Sequence, residues 1–513
     1  MEVLLMNEYL QGLTGRIVTP FNPIYNEARN GFNRAISRYP LIIVYCQSKR
    51  DVSNAILWAR RNNVAIRIRN GKHNYEGYSN GDSTLIIDVS EMNGILFDSS
   101  SKLLYLEGGV TNQQVYNFIS SRQYPFPGGT CPTVGVSGYV LGGGWGLSCR
   151  LLGLGCDSLI EIEVVDYEGT TIVANRNQFS DLFWACRGAG GGNFGVIVSM
   201  TFTLPPQIDQ VTLIEIDYLN VRSSEQTEFL NLWQNWLESA DPRITLISRI
   251  YYTVEDGLSI LVRGIFYGEL EEAKEIMGEF ISLDSAQYNI EAMSILEAVT
   301  IIGSVYPSYE KFKSVSRFVL RSLTVNEIEK LTSILRELPN GSVFAGLSMY
   351  ALGGRVSEVP RDATAFYYRD ARYIIWLETI WEEDQFAEDN NVWIAENFPS
   401  IQSLTTGSYV NFPYSELPDY QREYFGDHVK ELIRIKLKYD PQNIFSYPQG
   451  ILPDCYQNDN FTVPSIDQKK FKERNNNSED DGKQEREEER KEENLPNKQV
   501  PNYRGFRYVN KKN

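Results

Sequence analysis

The sequence predicts an α+β protein with an α/β N-terminal part, residues 1–207, and a second α+β part, residues 208–408. A short return segment, 409–453, and a charged tail, 454–513, complete it. Three observations carry this division. Strands, glycine-bearing loops and helical stretches alternate up to about residue 205. Pro205-Pro206 then punctuates the chain, and strands rich in Ile, Tyr and Val alternate with helical runs. After Pro453 apolar residues almost vanish.

The first helix is marked by apolar residues at 52, 55, 56 and 59, one helical face, with Ser48 and Asp51 placed as a capping box. Val64, Ile66 and Ile68 alternate as in a strand, which delivers the chain into a loop at 69–79. Strands are expected at Leu85–Val89 and Leu103–Glu107. A short helix over Asp181–Gly188 breaks into the glycines at 190–192, and a strand follows from Val196 to Thr203. Helices are expected over 223–239, 270–282 and 325–337. The return segment reads as Tyr409–Phe412, a helix over 420–438 and an Asp440-Pro441 turn. Asn475-Asn476-Asn477 and the run Glu485–Glu493 predict disorder for the tail. No internal repeat is found.

The chain has 513 residues, 42% hydrophobic and 22% charged, the balance of a soluble globular protein with a sizeable core. No stretch approaches the roughly 20 apolar residues that span a bilayer. The N-terminus lacks the basic and apolar regions of a secretory signal, so a cytoplasmic location is expected. Six scattered cysteines suggest neither a disulfide framework nor a metal knuckle, and no metal is expected. The tail is neutral, with 13 acidic and 13 basic residues, so the net charge of −17 lies on the body. Such a surface repels polyanions, which disfavours nucleic acid and anionic membrane as partners and favours a small-molecule substrate.

Two segments stand out chemically. In Arg69-Asn70-Gly71-Lys72-His73-Asn74-Tyr75-Glu76-Gly77-Tyr78-Ser79, successive amides in a turn can cradle a pyrophosphate, and Gly71 permits close backbone approach. The second is Cys131-Pro132-Thr133-Val134-Gly135, ahead of Gly142-Gly143-Gly144-Trp145-Gly146. This glycine run lacks the strand–GxGxxG–helix order of a Rossmann site. Read singly, His73 could be a surface or packing residue and Cys131 a buried structural thiol. The chain has only two histidines, His73 and His428.

Taken together and in order, these segments resemble the flavin-linked oxidases of the vanillyl-alcohol oxidase and p-cresol methylhydroxylase superfamily, in the bacterial form of the berberine bridge enzyme-like branch. Asp181-Leu182-Phe183-Trp184-Ala185, Tyr409-x-Asn411 and Asp440-Pro441-x-Asn443-x-Phe445 add to the resemblance, which spans about residues 14–453. It implies a two-part FAD-binding domain with an inserted α+β substrate domain. It implies FAD joined covalently through His73 and Cys131. Arg69, Asn70, Gly71, Lys72, His73, Asn74 and Ser79 would hold the pyrophosphate. Thr133, Val134 and Gly138 would lie along the flavin, Val196 and Ile197 on the adenine side, and Asn411 would approach from the return segment. Val134 matches a position where valine accompanies oxygen access. The implied reaction is oxidation of an alcohol or hemiacetal, carbohydrate-like or phenolic, with O2 reduced to H2O2.

The chain also departs from the family pattern. Lys72 replaces the usual Gly before the histidine, and Tyr139 stands where a histidine is common. Phe412 replaces a tyrosine that helps deprotonate substrate, and Ile374 falls where a second acid is expected. Tyr350, Glu378 and Tyr414 are the remaining candidates for the catalytic base. These losses, the 31 tyrosines and the tail motivate an alternative: a structural or spore-coat flavoprotein with little turnover, holding a coat or assembly partner through the tail. A dehydrogenase using another acceptor is a third reading.

Overall fold

The computed structural model describes residues 9–452. The expected signal-free N-terminus, in its first eight residues, and the charged tail lie outside the described residues.

The N-terminal sheet contains β1 (Arg16–Val18), β2 (Ile42–Tyr45), β3 (Ile66–Arg69) and β4 (Leu85–Asp88) in the order β1-β2-β4-β3. β2, β4 and β3 are parallel, as a crossover helix between β2 and β3 requires. That helix, Lys49–Arg61, buries Val52, Ala55, Ile56 and Ala59, the face marked by the sequence. Ser48 caps it by accepting the Asp51 amide at 3.3 Å. The Asp51 carboxylate accepts the Ser48 hydroxyl and the Gln47 amide, so the exchange is shifted one residue from the ideal box. The expected strand at Val64 starts only at Ile66, because Asn63 turns at φ 52°.

A second, antiparallel sheet has the order β5-β6-β9-β7-β8. Its strands are β5 (Ile95–Asp98), β6 (Leu103–Glu107), β7 (Leu159–Val165), β8 (Thr171–Asn175) and β9 (Val196–Thr203). Val165, Val196 and Val198 join Val44, Ile87 and Phe445 in one apolar core, so the two sheets and the return segment share an interior.

The third sheet is drawn wholly from residues 211–381. It contains β10 (Val211–Tyr218), β11 (Ile244–Thr253), β12 (Gly257–Phe266), β13 (Gln287–Met293), β14 (Phe312–Val319), β15 (Ser342–Ala351) and β16 (Tyr373–Trp381). All pairings in the order β13-β10-β12-β11-β15-β16-β14 are antiparallel. The expected helix over 223–239 forms with those bounds. The one expected over 270–282 breaks at Met277, and 325–337 tightens into a 3-10 turn from Ile334. The helix expected over 420–438 is interrupted at Gly426, where φ is 51° and a Cβ would sit 2.3 Å from the Tyr367 ring. Among the described residues no helix is long and apolar enough to cross a membrane.

The return segment is held by a buried lysine. Lys436 Nζ donates at 2.7 Å to each of Asn193 O, Phe445 O and Asp440 Oδ2. Asp440 in turn accepts the amides of Ile444 and Phe445, both at 2.9 Å. This knot explains the Asp440-Pro441-x-Asn443-x-Phe445 spacing: one carboxylate turns the chain and neutralises the cation. Breaking such a pair leaves an uncompensated buried charge. Lys436→Met should lower unfolding stability by about 3–5 kcal/mol, read as a fall in the urea midpoint. A midpoint equal to that of the parent would show that the knot is not structural.

Candidate functional site

A cavity opens where the 69–79 loop, the Cys131 segment, the glycine runs and the return segment meet. Arg69 stands at the end of β3 and is fixed by Asp88, at the end of the parallel neighbour β4, through a 2.6 Å bond. Both side chains are almost wholly buried. Asn70 turns inward and donates to Gly108 O at 2.9 Å and to Ser137 Oγ at 3.1 Å. Gly71 packs so closely on the second segment that a Cβ would lie 2.4 Å from the Gly135 amide. The loop therefore closes directly onto residues 133–135.

Lys72 adopts φ 65°, the left-handed region that glycine visits at no cost. Burial, aided by the Arg69 charge, lowers its pKa to about 8. Asn74 accepts the amides of Glu76 and Tyr78, which shapes the loop toward Ser79 on the cavity wall.

His73 and Cys131 meet at one hydroxyl. His73 Nε2 lies 2.7 Å from Thr133 Oγ1, and Cys131 Sγ lies 3.6 Å from the same oxygen. The imidazole stacks on Phe32 with ring centroids 4.5 Å apart. Burial drives the His73 pKa down to about 4, so the ring is neutral. Burial also raises the Cys131 thiol, against the hydrogen bond from Thr133.

Of the other residues singled out, Val134, Gly138, Ile197 and Asn411 line the cavity. A Cβ on Gly138 would meet nothing within 4 Å, so its backbone faces open space. Val196 is a correction: its side chain lies in the apolar core beside Val165 and Val198. Strand alternation gives only Ile197 to the cavity. Asn411 donates to Tyr139 O at 2.9 Å and to the Tyr409 hydroxyl at 3.0 Å. That hydroxyl accepts the amides of Gly144 and Trp145. The Tyr409-x-Asn411 pair thus clamps the glycine run. A Cβ on Gly142 would fall 2.0 Å from Asn411 Oδ1.

The base candidates separate. Tyr350, on β15, lines the cavity. Tyr414 does not: its ring packs against Phe398 and beneath Lys313, because the chain turns away at Pro413. Glu378 is also absent from the wall. It is buried behind it, 3.2 Å from Arg249 Nη2, and its Oε1 lacks a bond of hydrogen-bond geometry. In the sheet Tyr350 faces Ile374, Ser348 faces Trp376 and Gly346 faces Glu378, while Arg249 pairs with Ser348. Arg249 therefore stands between the phenol and the carboxylate. Burial pushes the Tyr350 phenol well above 10; Arg249 lowers it and Glu378 raises it. Burial lifts Glu378 to about 7 against the pull of Arg249.

Sequence reasoning missed the aromatic wall. Phe412 stacks on Tyr75 at 5.4 Å and lies 5.4 Å from Trp376 and 5.3 Å from Tyr350. Tyr75, two residues after His73, could have been found from its place in the loop. Arg249 carries no local signal, since only strand pairing brings it to the site. Tyr139, at the departure from histidine, donates to Pro127 O at 2.9 Å while its ring fills the space beside Gly129, Gly144 and Gly155.

The donor set suits a dinucleotide. Buried polar atoms on the wall lack protein partners: Arg69 Nη1, Asn70 Oδ1, Tyr78 Oη and Asn112 Oδ1. Such atoms are costly unless a polar ligand meets them. The glycines at 138 and 190–192 present backbone to the cavity floor, beside the side chains of Leu141, Val410 and Tyr447.

Known proteins agree with this geometry. Residues 40–175 match the family described as FAD binding domain, and residues 408–452 match the one described as berberine and berberine like. An uncharacterised FAD-linked oxidoreductase of Bacillus subtilis (strain 168) is 38% identical over 447 residues, covering 86% of this chain and 97% of the relative. Reticuline oxidase of Papaver somniferum is 27% identical, covering 81% of this chain and 84% of that protein. Among solved structures, the Physcomitrella patens berberine bridge enzyme-like 1 protein superposes with a TM-score of 0.81 at 24% identity, over 87% of this chain and 99% of its own. The fold, the two matched segments and the Bacillus relative place this chain in the berberine bridge enzyme-like family of FAD-linked oxidoreductases.

Proposed function

We propose that the chain is a doubly tethered FAD oxidase that converts an alcohol or hemiacetal of a carbohydrate-like or phenolic substrate to the carbonyl, with O2 reduced to H2O2. FAD, when bound, supplies the hydride acceptor and the site of O2 reduction. The observation that carries the reading is the convergence of His73 and Cys131 on the Thr133 hydroxyl. A chitooligosaccharide oxidase shares the fold at 24% identity, and reticuline oxidase is a relative, which makes sugars and phenolic ring systems the first substrates to try. The flat faces of Trp376 and Phe412 suit either. Val134 on the cavity wall supports oxygen as the acceptor.

Thr133 has a positioning role in the attachment. A neutral imidazole carries one proton; with that proton on Nε2 and given to Thr133 Oγ1, Nδ1 keeps its lone pair for bond formation. The substrate hydroxyl meets Tyr350 in its phenolate form, stabilised by the Arg249 guanidinium; the phenolate takes the hydroxyl proton and becomes the neutral phenol. Glu378 is a positioning residue here. It anchors Arg249 and, once ionised, offsets the guanidinium charge.

Acid precipitation of the purified protein should leave yellow colour in the pellet, lost stepwise in His73→Ala and Cys131→Ala. Thr133→Val should reduce the covalent fraction while FAD still binds. Flavin wholly released from the parent protein would end the tethering claim. For turnover, peroxide formation across a panel of sugars and phenols should climb into the alkaline range as the phenol deprotonates. Tyr350→Phe should lower kcat by about 10²–10⁴-fold with little change in KM. Removing the carboxylate in Glu378→Gln stabilises the phenolate and should move the limb to lower pH; Arg249→Met should move it higher. Equal limbs in all three proteins would remove Tyr350 from this role.

A further inference from the structure

A second cavity, of about 650 Å³, shares no lining residue with the first. It lies between the end of β8, the helix Ser180–Ala185 and the 355–364 segment, and three arginines line it: Arg176, Arg187 and Arg355. On a body carrying −17 such a concentration of positive charge calls for an account.

The charges can be paired off. Arg355 is matched by Glu358 at 3.0 Å. The two oxygens of Asp157 are taken by Arg369 in a fork of 2.7 and 2.8 Å. Among the described residues neither Arg176 nor Arg187 has a carboxylate within ion-pair distance, although Asp157 acts on Arg187 from farther off. Arg187 is 7% exposed and stacks over the Phe183 ring at 4.4 Å. It donates Nη2 to the Ala363 carbonyl at 2.8 Å, and its buried Nε has no partner. With only Nη2 engaged by a carbonyl, Asp157 at a distance and Arg176 nearby, this buried guanidinium gains from a further anion. Burial lowers the Arg187 pKa; Arg176 and Arg369 add to the fall, and Cys156 and Asp157 oppose it. Ser180 and Thr364 add hydroxyls to the wall.

We infer that this cavity is a binding site for a small metabolite bearing a phosphate group, held between Arg176 and Arg187. Guanidinium forks match tetrahedral oxyanions in shape and charge, and the volume exceeds what one inorganic ion fills. The inference is independent of how the flavin is attached or what the first cavity oxidises.

The test uses the flavin-loaded full chain. Thermal midpoint and titration calorimetry are followed with inorganic phosphate, with citrate, and with sodium chloride at matched ionic strength, while flavin absorbance confirms that the cofactor stays bound. Phosphate should raise the midpoint in a saturable way and give one-site heats. Arg176→Ala, at an exposed position, should weaken binding by about tenfold or more without changing the unliganded midpoint. Arg187→Lys, which keeps the charge but not the fork, should weaken it as well. A rise equal to that in chloride, or equal phosphate affinity in both variants, would overturn the site. Binding of citrate but not phosphate would overturn the assigned ligand class.

Discussion

The buried pair of Arg69 and Asp88 is the constraint from which the flavin site grows. Two parallel strands end side by side, and an ion pair locks those ends in register just where the backbone must leave the sheet. A charge this deep is tolerated because both partners arrive together; its geometric consequence is larger than its stability contribution. It fixes where Asn70 and Gly71 begin the loop, and so where His73 reaches Thr133 two turns away in space. Among the described residues the Nη1 nitrogen of Arg69 has no hydrogen-bond partner.

The other half of the site is built by distant segments stitched through backbone amides and carbonyls. Asn33 donates to Tyr75 O and to Phe312 O, joining the 69–79 loop to β14 of the third sheet. Trp145 Nε1 donates to Ala351 O at 2.8 Å, tying the glycine run to the end of β15. Tyr350 and Trp376 are thereby set against Phe412 rather than left at a flexible domain edge. Phe412 serves as packing: its ring lies among four aromatic neighbours, Tyr75, Tyr350, Trp376 and Tyr409, and keeps the wall intact.

Much of this was legible in the sequence because local rules decide it. The period-3.6 face of Lys49–Arg61, the turn chemistry of 69–79 and the glycine runs depend on neighbours in the chain. Helix ends were less legible, since Gly426 breaks a helix for the sake of the Tyr367 ring, a contact from 59 positions away. The same limit governs the site. His73, Cys131 and Asn411 sit in motifs that single them out as candidates; Arg249 owes its place beside Tyr350 to strand pairing and carries no such mark. The Val196 and Tyr414 side chains lie off the cavity wall for one reason: adjacency in sequence says nothing about which side of a strand or turn a side chain takes.

The clamp of Tyr409 and Asn411 on the glycine run has a consequence for biosynthesis. The run at 142–146 leaves the ribosome some 265 residues before the hydroxyl that satisfies its amides. At about 5–20 residues per second that is an interval of tens of seconds, in which the N-terminal sheets can form but their cofactor floor stays unbraced. Tyr447 and Gln449, the last wall residues, emerge later still. An incomplete product therefore lacks the brace on this glycine run until the return segment has emerged.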